Sequence, residues 1–314
     1  MKTKNITIVF SKLDFSDIQL ERLSDLGKVT FARSLRGNSP AICPKYTEIL
    51  VLDSFSLGSP DKRKIRLKQL LDTLPNVRYL VLGNSDCSFV DTDYCKQRNI
   101  VVSVVPLYDA ESKAEHIIAL LLGSMRRIII NDRLTYRRMF YPGLGHNFKG
   151  SRLGIIGMDS AGEQVASLAK ALGAVVSVCE RQIRLEAVSI KTLDSLLVES
   201  DMIALRLAES GENIKFLGKE RINQLKDGVI VVNTGNRSWV DEKAMNEALR
   251  AGKVGTYAFE AETMGKSPLK GNDFALIFKP FSTYTKETRE KNIEAMVTNI
   301  EGIVRGMPYS KLEL

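Results

Sequence analysis

Histidine and cysteine are scarce in this chain of 314 residues, with two of the first and four of the second. Cys43, Cys87, Cys95 and Cys179 form no C-x-x-C pair, and His116 and His146 are far away in sequence. That argues against a zinc site and a disulfide framework, and favours reduced thiols in a cytoplasmic protein. Long apolar runs are missing as well. The longest, Ile117–Leu122, is far below a membrane span. The N-terminal patch of Ile6, Ile8, Val9 and Phe10 is too short for a signal-peptide core and reads as a buried strand. Low-complexity linkers and internal repeats are absent.

What is present is ordinary for a globular protein: 44% hydrophobic and 26% charged residues. At roughly 100–200 residues per domain, the length predicts two domains. Lys and Arg exceed Asp and Glu by 45 − 37, a net charge of +8. A surplus of this kind leaves nucleic acid, acidic lipid and anionic small molecules open as partners. Seven cations fall in Arg126–Arg152 with Asp132 as the only acid, but no stacking aromatics or binding module accompany them. A solvated surface or a subunit contact outweighs nucleic acid there.

Strand-like and helix-like segments alternate. Ile6–Phe10, Ile49–Leu52, Arg78–Leu82 and Ile100–Val104 read as strands, Asp17–Leu26 and Lys62–Leu74 as helices. A longer helix is predicted over Glu111–Arg138, broken by Tyr141-Pro142-Gly143, and a last one over Lys286–Val304. A second alternating block runs from Leu153 to about Phe281. The fold class is α/β, with parallel sheets covered by helices.

Leu153–Gly162 (LGIIGMDSAG) precedes a helical pattern and a second strand, Ala174–Cys179, that closes on Glu180. This is the spacing of a dinucleotide-binding β-α-β unit. Gly157 serves the tight turn and Gly162 lets helix pack on strand. Glu180 would accept hydrogen bonds from the ribose hydroxyls and favours NAD over NADP. Asp159 replaces the middle glycine of G-x-G-x-x-G, where a side chain crowds the pyrophosphate and an anionic one repels it.

With Leu82-Gly83, Val105–His116 (VPLYDAESKAEH), Leu193–Asp201 (LDSLLVESD) and Asn233–Glu242 (NTGNRSWVDE), the chain resembles the D-isomer-specific 2-hydroxyacid dehydrogenase family over nearly its whole length. The resemblance implies two Rossmann-like domains with a cleft between them. A substrate domain would comprise 1–101 plus 286–314, and a nucleotide-binding domain 102–285. It implies a homodimer, and Gly157, Met158, Asp159, Ser160, Ala161, Gly162, Glu180, Arg206 and Thr234 at the cofactor. Gly83, Tyr108, Phe281 and Tyr284 would line the substrate cleft.

Family members move a hydride between nicotinamide and C2 of a 2-hydroxy or 2-oxo acid. A His exchanges the proton, a Glu holds that His, and an Arg binds the carboxylate. In Phe278–Phe281 (FKPF), Phe281 stands at the His position. In the Asn233–Glu242 stretch, Asn236 stands at the Arg position and Arg237 follows it. Glu262 matches the Glu only with a short deletion before it; without that gap Gly265 falls there. Leu205-Arg206-Leu207 carries a cation where the family commonly has His. His116 reads as a packed or helix-end residue, and His146 as a surface one.

Three functional readings follow. In the first, the chain is a degenerate homologue that keeps the nucleotide fold but has lost hydride transfer, with Arg206, Arg237 and Lys279 making a basic cleft for an anionic or nucleoside ligand. NAD or S-adenosylmethionine would be that ligand. In the second, the chain is an active NAD-dependent oxidoreductase whose acid/base is rebuilt, for example from Lys279 or Tyr284, with Arg237 twisted into the Arg role and Glu262 as the Glu. The third is a corepressor-like or scaffold role.

Overall fold

The structure, a computed structural model, describes residues 4–32, 43–59, 62–83, 87–105, 108–139, 143–179, 188–208, 210–261 and 263–307. The chain divides into two compact units, Met1–Tyr108 with Lys286–Leu314, and Asp109–Thr285.

The first unit contains β1 (Lys4–Ile8), α1 (Asp17–Leu26), β2 (Gly27–Phe31), β3 (Ile49–Leu52), α2 (Arg63–Asp72), β4 (Tyr79–Leu82), α3 (Thr92–Gln97) and β5 (Val101–Val104). Its strands form one parallel sheet in the order β2-β1-β3-β4-β5. β3 is apolar throughout and wholly buried, as a central strand covered on both faces must be. α1 begins with a capping box: the Ser16 side chain accepts from the Gln19 N–H, and the Gln19 side chain accepts from the Ser16 N–H. In α2, Leu67, Leu70 and Leu71 face the core while Ile65 remains exposed, so the basic run Lys62–Lys68 lies on a half-solvated helix.

The second unit opens with α4 (Ala110–Met125) and α5 (Ile128–Tyr136). One continuous helix was expected here. The break falls at Arg127, which adopts a left-handed φ of 53°. The connector that follows folds back onto this break: His146 N–H donates to Met125 O at 2.9 Å, and Arg127 Nε to Leu144 O at 2.7 Å. Tertiary contact thus supplies partners for carbonyls at the helix end.

Next come β6 (Arg152–Ile156), α6 (Ser160–Ala171), β7 (Val175–Cys179), β8 (Ser189–Ile190), α7 (Leu193–Glu199), β9 (Met202–Leu205) and α8 (Lys219–Gln224). The unit closes with β10 (Val229–Asn233), α9 (Glu242–Arg250), β11 (Val254–Glu260) and β12 (Ala275–Phe278). The sheet is parallel, in the order β12-β11-β10-β9-β6-β7-β8. One face is covered by α4 and α6 through Ile117, Leu121, Val165, Ala166 and Ala169. The other carries Leu196, Leu197, Ile222, Met245 and Leu249 of α7, α8 and α9. The last helix, α10 (Lys286–Val304), returns to the first unit and buries Ile293, Met296, Val297 and Ile300 with Ile6, Ile8 and Val81.

Candidate functional site

The second sheet reverses its direction of winding at β6. From β6 the chain passes through α6 to β7 on one side, whereas β9 pairs with β6 on the other. Ligands of open α/β sheets bind outside the carboxyl ends of the strands at such a switch point. Three segments converge there: the Gly157 turn after β6, Arg206 after β9, and Thr234 after β10. Gly157 is required by geometry. Its φ is +81°, and a Cβ would lie 2.2 Å from Arg206 O.

Asp159 is the N-cap of α6. Its Oδ1 accepts from Gly162 N–H at 2.8 Å and from Arg206 Nε at 3.1 Å, and its Oδ2 is paired with Arg206 Nη2. Arg206 is only 8% exposed. Its Nη1 donates to Thr234 Oγ1 at 3.2 Å. Burial pushes the Asp159 carboxyl up, but the hydrogen bond and charge of Arg206 and the Gly162 N–H outweigh it, so the group is held below the ordinary carboxylate range. Asp159 therefore does not confront this site as an unpaired charge.

Arg237 is also taken. Its guanidinium pairs with Glu242 through Nε and through Nη2 at 2.8 Å, and Nη1 donates to Thr263 O at 2.8 Å. Glu242 is further held by Ser267 Oγ at 2.6 Å. Asn236 caps the short 3-10 turn Arg237–Trp239, its Oδ1 accepting from Ser238 N–H at 2.9 Å. Of the three cations expected to make a basic site, two are bound to carboxylates of their own unit. Lys279 alone is exposed. Their partners are Asp159 for Arg206 and Glu242 for Arg237.

A second cluster lies at the ends of β11 and β12. Glu260, 5% exposed at its side chain, accepts from Phe281 N–H at 3.1 Å, Ser282 N–H at 2.9 Å and Ser282 Oγ at 3.2 Å. Ser112 Oγ of α4 donates to Ser282 O at 2.7 Å. These contacts fix the backbone that carries Phe281. The Phe281 ring meets His116 edge-on, with centroids 4.8 Å apart. His116 Nε2 lies 3.3 Å from Glu260 Oε1 but outside hydrogen-bonding geometry. Burial lowers the imidazole pKa more than Glu260 raises it, which disfavours the charged ring. Sequence reasoning placed His116 in the packing but did not find Glu260 as its neighbour. The apolar β11 leading into a lone acid was the available signal.

The remaining candidates are dispersed. Met158 is half-buried, Ser160 exposed and Ala161 buried in the glycine loop and the start of α6. Tyr284 is 78% exposed. Gly83 and Tyr108 belong to the first unit. Gly83 is buried against Phe10 and Met296, where a Cβ would approach within 2.8 Å and 2.7 Å. Tyr108 lines a groove with Phe15 and Thr298. Glu180 and Glu262 lie outside the described residues. Among the described residues no group of three or more His, Cys, Asp or Glu could hold a metal ion. No described helix is long and apolar enough to cross a membrane.

A doubly wound sheet with a glycine turn at its switch point defines a nucleotide-binding class of domain. Residues 118–277 match the family described as D-isomer specific 2-hydroxyacid dehydrogenase, NAD binding domain. This chain belongs to the D-isomer specific 2-hydroxyacid dehydrogenase family. It is 29% identical over 243 residues to 4-methyl-2-oxopentanoate reductase A of Aspergillus oryzae, covering 74% of this chain and 73% of that protein. It is 29% identical over 279 residues to D-3-phosphoglycerate dehydrogenase of Archaeoglobus fulgidus, covering 84% of this chain but only about half (51%) of that one. D-lactate dehydrogenase of Aquifex aeolicus, solved with NAD and lactic acid, shares the fold with a TM-score of 0.74 at 24% identity, covering 96% of each chain.

Proposed function

We propose that this protein is a ligand-binding member of the family that does not carry out hydride transfer with the family's groups. The observation that carries the reading is Phe281. At the position the resemblance gives to the proton-exchanging His stands a hydrocarbon ring, packed on His116 and held by the Glu260-anchored backbone. Phe has no exchangeable proton. Asn236, at the position of the carboxylate-binding Arg, caps its own turn and offers no charge. Arg237 does not replace it, because its fork is filled by Glu242 and Thr263 O.

The retained parts support a nucleoside or nucleotide as ligand: the Gly157 turn, the small-residue packing of α6 and the switch-point position. S-adenosylmethionine is not proposed: of the three cations that pointed to a basic cleft, Arg206 and Arg237 are paired with Asp159 and Glu242. Nor is nucleic acid: within Arg126–Arg152, Arg137 is bound to Asp273 at 2.7 Å and Arg127 to Leu144 O. Ile128, Tyr136, Met139 and Leu144 are large apolar side chains left exposed on α5 and its flanking segments. They support a homodimer formed through this surface of the second unit. Cys43, Cys87, Cys95 and Cys179 are thiols rather than disulfides, which supports a cytoplasmic setting.

The test is steady-state turnover with NADH and a panel of 2-oxo acids, alongside calorimetric titration of adenosine and NAD. Adenosine binding without turnover is expected. Turnover of any 2-oxo acid at dehydrogenase rates rejects the proposal in favour of a rebuilt acid/base.

A further inference from the structure

The residues at the glycine turn do not fit a dinucleotide as they stand. A pyrophosphate at a Rossmann helix start needs close approach to backbone at the second glycine and free N–H groups at the first turn of the helix. Here the second-glycine position carries Asp159, and the Gly162 N–H is donated to its carboxylate at 2.8 Å. The carboxylate is itself an anion seated at a helix N-terminus. It also receives the cation that faces it, since Arg206 grips it through Nε and Nη2.

Arg206 is not a mobile side chain. It is buried, its Nη1 is tied to Thr234 Oγ1 at 3.2 Å, and its own N–H donates to Ile156 O at 2.8 Å. Gly157 closes against its carbonyl. The Asp159 carboxylate, by contrast, is 46% exposed. The pair is thus a fixed cation holding a reachable anion.

We propose that Asp159 occupies the pyrophosphate position from within the chain, and that the Asp159–Arg206 pair makes the site select adenosine-type ligands without phosphate at the glycine turn over intact dinucleotides. This rests on the nucleotide-site reading above. A dinucleotide must evict Asp159 from both Gly162 and Arg206. It then leaves an uncompensated carboxylate next to its phosphates. A nucleoside needs neither step.

The test is calorimetric titration of the full chain with NAD and with adenosine, for the wild type, Asp159→Gly and Asp159→Ser. The serine variant keeps a good N-cap, so it protects the experiment against loss of the helix start. Both variants are expected to bind NAD at least ten-fold more tightly than the wild type, with adenosine affinity changed less than three-fold. Equal NAD affinity in all three proteins, or weaker NAD binding in both variants, overturns the proposal. It does so without touching the nucleotide reading, provided adenosine still binds. Failure of adenosine to bind any of the three proteins sinks the nucleotide reading itself.

Discussion

Replacing Glu260 gives the sharpest test of how the Phe281 backbone is held. The carboxylate is 5% exposed and accepts from two backbone N–H groups and one hydroxyl. In Glu260→Ala the Ser282 N–H, on a buried residue, and the Phe281 N–H lose their acceptor. An unsatisfied buried donor costs about 1–3 kcal/mol. The Ser282 hydroxyl can turn elsewhere, and the deleted stem leaves a small void. The expected loss is therefore about 3–5 kcal/mol. Glu260→Gln retains one carbonyl oxygen as acceptor, and its loss should be only about 1–2 kcal/mol. The assay is urea denaturation followed by fluorescence of Trp239, the single tryptophan, which is buried in the same unit. It reports the second unit without contribution from the first. A Glu260→Ala variant within 1 kcal/mol of wild type, or one no worse than Glu260→Gln, refutes the anchoring role.

Other outcomes follow from the same contacts. Gly157→Ala must place a Cβ against the Arg206 backbone at a left-handed φ, and should cost about 2–5 kcal/mol in the same urea assay. His116 has a lowered pKa in the fold, so the unfolded chain binds the extra proton first. Stability should fall as pH drops below about 6.5 toward the folded value, by at most about 1.4 kcal/mol per pH unit. His116→Phe should flatten that slope in chemical denaturation below about pH 6.5. Asp159 is depressed instead, so its contribution is complete above about pH 4 and is lost as pH falls through the folded value. Asp159→Asn should show a shallower acid loss of stability there. The proposed homodimer predicts dimeric sedimentation of the wild type and monomeric sedimentation of Leu144→Glu with Tyr136→Glu; a monomeric wild type or an unchanged variant overturns it.

Much of the fold was legible because its elements are locally consistent. Asp17–Leu26 and Lys286–Val304 form with the predicted bounds, and the apolar runs at Ile49 and Leu153 become central strands. What escaped was decided by tertiary contact. β2 (GKVTF) is a short edge strand with no fully buried residue, and its polar–apolar alternation spans only Lys28 to Phe31. The break at Arg127 is set by a connector that returns from residues 144–146. The same holds at the site. Phe281 in FKPF, Asn236 in the Asn233–Glu242 stretch and Asp159 in the glycine loop can be read directly. Which carboxylate each arginine takes cannot. Arg206 meets Asp159 from 47 residues away because β9 lies beside β6, and no local pattern encodes that adjacency.

The central claim, that no hydride moves through this site, is tested most directly by a single-turnover experiment. Protein in several-fold excess over NADH is mixed with a saturating 2-oxo acid in a stopped-flow instrument, and the nicotinamide absorbance is followed well beyond the time of an ordinary dehydrogenase turnover. The account predicts an unchanged absorbance. Loss of the band in stoichiometric yield contradicts it.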